Sequence, residues 1–135
     1  MADLNAAVCD THALVWHAAG DRRLGPRARA VLDACEAQRT IVYVPVAVLW
    51  ELGLLERRGR IALGRSLAAF VEDLFSNPAW QPLDLTVEQV VAAHERRPND
   101  DPFDALIVAA ALTLGLPLVT RDGRIADSKL VKTIW

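Results

Sequence analysis

Four acidic side chains stand at the ends or in the middle of apolar segments. Asp10 closes Ala7-Val8-Cys9, and Glu51 lies inside Val46-Ala47-Val48-Leu49-Trp50-Glu51-Leu52. Asp104 ends the cluster Asp100-Asp101-Pro102-Phe103-Asp104, and Asp122 follows Leu118-Val119-Thr120-Arg121. Carboxylates without interleaved lysine suit a hard divalent cation, because magnesium and manganese take oxygen ligands whereas zinc or copper would ask for His or Cys. Each acid also has a plainer reading. Asp10 can cap a following helix, Asp122-Gly123 is ordinary turn chemistry, and Asp101 fits a helix N-cap with Pro102 at the first helical position and Asp104 at the third. Glu51 is harder to explain that way, since Ala47, Val48, Leu54 and Leu55 around it are all apolar. A buried carboxylate costs several kcal/mol unless a cation or hydrogen-bond donor meets it, so Glu51 should bind metal or pair with Arg57 or Arg58.

Other chemistries find less support. His12 and His17 are five positions apart and His94 lies on another segment, which gives no zinc spacing; only His12, a neighbour of Asp10, is kept as a site candidate. There is no defensible Ser-His-Asp arrangement and no glycine loop to cradle phosphate. Cys9 and Cys35 lack metal-type spacing and read as small reduced core residues. The four tryptophans read as core or interface anchors.

The elements that would position the acids alternate between strand and helix. Ala7–Cys9 is a strand and the segment from Thr11 to Trp16 is helical. Helices are expected from Arg27 to Gln38 after Pro26, from Val46 to Arg58 with Gly59 as terminator, and from Ser66 to Phe75. Thr86-Val87-Glu88-Gln89 opens another as a capping box, running to Arg96, and Pro102 opens one that ends at Gly115. Strands are expected at 40–44, 80–85, 116–120 and 130–135, with a turn at Arg121-Asp122-Gly123. This alternation implies an α/β fold: one domain, 1–135, with a central parallel sheet of four or five strands and helices on both faces. In such sheets ligands bind beyond the carboxyl ends of the strands, which is where Asp10 and Asp122 fall.

With 135 residues, 53% hydrophobic and 24% charged, the chain belongs among globular proteins with one core. It has no long uncharged apolar run for a membrane span, and Asp3 stands where a leader peptide would carry basic residues, so a cytoplasmic protein is expected. A net charge of −2 argues weakly against nucleic acid held by charge alone. A protein that neutralises phosphate through bound metal needs acids, and those lower its net charge.

The segments Val8-Cys9-Asp10-Thr11-His12-Ala13-Leu14-Val15-Trp16, Trp50-Glu51, Asp101-Pro102-Phe103-Asp104 and Val119-Thr120-Arg121-Asp122 together resemble the PIN-domain ribonucleases, most of all the VapC-type toxins of type II toxin–antitoxin systems. The resemblance covers nearly the whole chain. It implies a metal-dependent endoribonuclease in which Asp10, Glu51, Asp104 and Asp122 match the acidic quartet for Mg2+ or Mn2+, with Thr120 a donor to water or phosphate and Thr11 a second hydroxyl near the site. It also implies an RNA substrate such as tRNA or rRNA, a homodimer, and a cognate VapB-like antitoxin whose cationic segment blocks the acids. Arg22, Arg23, Arg58, Arg60 and Arg121 are unranked candidates for holding RNA. Two departures stand out: Asn99-Asp100 precedes the Asp-Pro-Phe-Asp motif where the family often has a basic residue or His, and Ala105 follows it where the family often has Arg. Two other readings stay open. One is a non-catalytic protein-binding module in which the acids only cap helices; the other is a different magnesium-dependent phosphoesterase or phosphotransferase, in the latter case phosphorylated on Asp10.

Overall fold

The computed structural model describes residues 5–135; Asp3 lies outside them. In chain order the elements are β1 (Ala6–Cys9), α1 (Thr11–Ala19), α2 (Pro26–Glu36), β2 (Ile41–Pro45), α3 (Val46–Arg57), α4 (Leu67–Ser76), β3 (Trp80–Leu83), α5 (Val87–Glu95), α6 (Pro102–Leu114), β4 (Leu118–Val119), α7 (Gly123–Ser128) and β5 (Thr133–Ile134). The strands form one parallel sheet in the order β3-β2-β1-β4-β5.

That order is the α/β sheet expected from the alternation, with five strands. Successive strand residues point to opposite faces, and Ala7, Val8 and Cys9 are all fully buried, so β1 is covered on both faces. The chain builds outward from β1 through β2 to β3, then returns to add β4 and β5 on the other side. The gap between β1 and β4 is therefore the point where winding reverses, and a crevice opens there beyond the carboxyl ends. Asp10 follows β1 directly and its N–H donates to the Val119 carbonyl of β4 at 3.1 Å.

Local chemistry fixes the helix starts. Asp10, Ser66, Thr86, Asp101 and Asp122 each accept backbone N–H bonds as N-caps of α1, α4, α5, α6 and α7. Gly115 ends α6 in the left-handed conformation, as its position after the apolar run implies. The turn expected at Arg121-Asp122-Gly123 is instead the start of α7, because Asp122 accepts from both Arg124 and Ile125 while Ile125 is buried and anchors the short helix. The strands at 80–85, 116–120 and 130–135 are shorter than the apolar runs that announce them. Cys9 and Cys35 are buried free thiols. Among the described residues no helix is long and apolar enough to cross a membrane.

Trp135 is partly buried and packs against the core. Trp135 accepts a hydrogen bond from the Arg27 N–H at 3.2 Å and packs edge-on to Trp16 at 5.6 Å. Gly25 makes room for it: a Cβ there would lie 2.6 Å from the indole Cδ1 and 2.7 Å from the Trp135 carbonyl carbon. Gly25→Ala should therefore cost about 1–3 kcal/mol of stability by overpacking, read by urea denaturation. An unchanged midpoint would show that Trp135 does not occupy this seat.

Candidate metal centre

The acids reach the crevice from four directions. Asp10 caps α1 by accepting the Ala13 N–H at 2.9 Å. Asp122 caps α7 from the end of β4, and Asp104 sits in the first turn of α6. Glu51 arrives on α3, which packs against both α1 and α6. Together with Asp101 and Asp127 they line a cavity of about 660 Å3 that also holds His12, Arg121 and Arg124. Six carboxylates therefore face two arginines.

Each acid is held by a specific neighbour. Thr11, buried in α1, donates a short hydrogen bond to Glu51 Oε1 across 40 positions of sequence, so the partner of Glu51 is this hydroxyl rather than Arg57 or Arg58. Asp104 does not close a reciprocal cap with Asp101. Its Oδ2 accepts the Asn99 amide at 3.0 Å and lies 3.5 Å from the Arg124 guanidinium. Arg124 also stands 3.5 Å from Asp122. Thr120 is buried, accepts the Asp122 N–H at 3.1 Å and hydrogen-bonds Asp10. That engagement places its hydroxyl between two acids of the cavity.

The electrostatic cost is visible in the carboxyls themselves. Burial pushes Asp10 up to about 6, with the Asp104 charge adding and the bonds from Thr120 and Ala13 opposing. Burial likewise raises Glu51 and Asp104; Asp101 and Asp104 add to the first, Asp101 and Asp122 to the second. These acids feel one another's field across the cavity.

The donor chemistry fits a hard cation: all-oxygen, net negative and partly dry, with Glu51 Oε2 and Asp104 Oδ1 lacking a protein partner among the described residues. In spacing the acids ring the cavity without converging, since among the described residues no three His, Cys, Asp or Glu side chains are grouped closely enough to ligate one ion as they stand. Asp100 is exposed and does not line the cavity, whereas Asp101 does. Three contributors escape sequence reasoning: Asn99, Arg124 and Asp127. Asn99 and Arg124 hold Asp104, while Asp127 belongs to the helix that starts at the expected turn. Of the arginine candidates, Arg121 lines this cavity, Arg23, Arg58 and Arg60 line an adjoining one, and Arg22 lines neither.

A carboxyl that holds its proton more tightly folded than unfolded makes the folded chain lose stability as pH rises through the interval between the two values. For Asp10 that interval runs from about 3.8 to about 6. In chelator at neutral pH, Asp10→Asn keeps the cap and removes the buried charge, so it should stabilise the chain by roughly 1–3 kcal/mol at about 1.4 kcal/mol per pKa unit. The gain should vanish near the lower end of the interval, and urea melts at both pH values check it. A destabilised variant at neutral pH would contradict the electrostatic account.

The chain is 24% identical to ribonuclease VapC22 of Mycobacterium tuberculosis (strain ATCC 25618 / H37Rv) over 135 residues, 98% of this chain and the whole of that one. Its fold is similar to that of VapBC2 from Rickettsia felis bound to a promoter DNA fragment, with a TM-score of 0.68 at 14% identity, covering 95% of this chain and 96% of that one. It is also similar to VapC20 of Mycobacterium tuberculosis, a sarcin-ricin loop cleaving toxin, with a TM-score of 0.65 at 20% identity, covering 96% and 99%. A third likeness is to DNA-bound VapBC from Salmonella typhimurium, with a TM-score of 0.66 at 16% identity, covering 97% of each. The family model for the PIN domain matches residues 7–129.

Proposed function

The chain belongs to the PIN domain family, and we propose that it is a metal-dependent endoribonuclease of the VapC toxin type, acting in the cytoplasm and inhibited by a cognate antitoxin. One observation carries this reading: six carboxylates from three helices and three connecting loops line one cavity at the sheet's reversal point, with too few cations to balance them. Magnesium or manganese would be held by Asp10 and Asp104, with Glu51 and Asp122 as further ligands or as acids that orient water. When bound, the ion supplies charge to the phosphate oxygens and brings the pKa of water down towards neutrality.

The chain's own residues prepare that site. Thr11 and Thr120 fix the Glu51 and Asp10 carboxylates, while Asn99 and Arg124 fix Asp104 through one oxygen and leave the other available. The substrate class is RNA by analogy with ribonuclease VapC22 and the sarcin-ricin loop cleaving VapC20. The VapBC assemblies among the structural neighbours support an antitoxin partner, and a cationic antitoxin segment would find its complement in the acid cavity. A homodimer would bury apolar side chains left exposed on α3 and α5, Trp50 at 67% and Val87 at 81% exposure. Sedimentation of a single-chain mass at micromolar concentration would remove the dimer.

A second reading has its own support. Asp10, Asp101 and Asp122 are all N-caps, and the acids do not converge, which is what a binding module without catalysis would show. Cleavage of cellular RNA by the purified, partner-free chain separates the two. The nuclease reading expects discrete cuts with Mg2+ or Mn2+, none in chelator, and losses of roughly 100-fold or more in Asp10→Asn and Asp104→Asn. A folded, unliganded chain that cuts nothing with either ion would favour the module. A persistent acyl-phosphate on Asp10 after incubation with a phosphodonor would favour the phosphotransferase.

A further inference from the structure

The two arginines of the acid cavity, Arg121 and Arg124, and Arg23 over Trp16 differ in what already satisfies them. Arg124 is divided between Asp104 and Asp122 at 3.5 Å each. Arg23 is held by Asp21 through two bonds, Nε to Oδ1 at 3.1 Å and a terminal nitrogen to Oδ2 at 2.7 Å. Arg121 is exposed and lines the acid cavity, yet makes no ion pair among the described residues. What it meets instead is an aromatic face: its guanidinium carbon lies 5.6 Å from the centroid of Trp16.

An indole face orients a guanidinium without neutralising it, and Arg keeps its N–H donors for a planar anionic partner. The backbone beside Arg121 and the indole of Trp16 are both held in place. The backbone on either side of Arg121 is pinned by the Thr120 N–H to the Ile134 carbonyl at 3.1 Å and the Asp122 N–H to the Thr120 hydroxyl at 3.1 Å. Trp16 is nearly buried, clasped by Trp135 on one edge and by His12 at 5.5 Å, with Arg23 a further 4.8 Å from its centroid. Trp16 and His12 also border the adjoining cavity of about 710 Å3, whose rim includes Arg23, Arg58 and Arg60. With Glu51 and Asp101, which line both cavities, the two residues form the ridge between them, and the second cavity sets Arg23, Arg58 and Arg60 against Asp21.

We propose that Arg121, held over Trp16, binds a backbone phosphate of the RNA strand beside the one at the acid site, and that the strand crosses the Trp16–His12 ridge into the second cavity. The inference rests on the nuclease reading and adds the substrate contact and the direction of the strand. A cation so placed offsets the repulsion between the acid cavity and an incoming polyanion. Arg121 acts by binding, and it takes no part in the chemistry.

The test is binding of a fluorescent, unstructured RNA oligonucleotide to the chain carrying Asp104→Asn, in Mg2+, followed by anisotropy over a series of potassium chloride concentrations. Adding Arg121→Ala should weaken binding several-fold and make the plot of log affinity against log salt shallower by about 0.7, the value of one lost phosphate contact on a single strand. Adding Arg39→Ala, the same charge change at an exposed position outside both cavities, should leave the slope unchanged. Equal effects of the two substitutions, or no change with Arg121→Ala, would overturn the proposal and turn attention to a protein segment as occupant of the ridge. If RNA bound to neither the parent nor any variant, the nuclease reading itself would fall, and this contact with it.

Discussion

The structure depends on keeping several like charges together in a cavity that is only partly wet. Carboxylates so placed repel one another and lose hydration, and Asp10, Glu51 and Asp104 all register that cost as raised proton affinity. The fold offsets it with dipoles. Asp10, Asp101 and Asp122 each stand at a helix N-terminus and accept backbone N–H bonds, where a negative charge is favoured. Thr11, Thr120 and Asn99 add neutral donors, and Arg124 adds one shared cation. Capping and metal binding are thus compatible uses of the same residue, since a cap occupies one carboxylate oxygen and leaves the other.

Sheet order makes this assembly cheap to position. Because winding reverses between β1 and β4, the loops after the two strands diverge and leave the crevice open. β1 and β4 are buried in the middle of the sheet, so Asp10 and Thr120 inherit rigid backbones from the core. Glu51 needs a different route: α3 packs on α1 and α6, and a single hydroxyl from Thr11 ties it to the site. Trp135 packs edge-on against Trp16, which lines the acid cavity.

Much of this was legible in the chain because local chemistry and burial agree. Pro102 after Asp101 and Gly115 after an apolar run announce both ends of α6, and an acid directly after Ala7-Val8-Cys9 places Asp10 at a strand end. The helix α7 was hidden behind Asp122-Gly123, where turn chemistry and an N-cap look alike; the apolar Ile125 three residues on was the available signal. The Thr11 to Glu51 bond joins residues 40 apart and was not readable, so Arg57 and Arg58 stood in as nearer partners. Thr120 alternates into the core at the end of β4, and its hydroxyl serves its neighbours there. Asn99 and Arg124 carry no pattern of their own; only the folded chain brings them to Asp104.

The most direct test is calorimetric titration of Mn2+ into the chain stripped of metal, at neutral pH, beside Asp10→Asn and Asp104→Asn. With both acids as ligands of the proposed site, binding by the parent chain is expected to weaken at least about tenfold in each variant. Mn2+ affinity unchanged by both substitutions, or no binding to the parent, would contradict it and leave the carboxylates as helix caps alone.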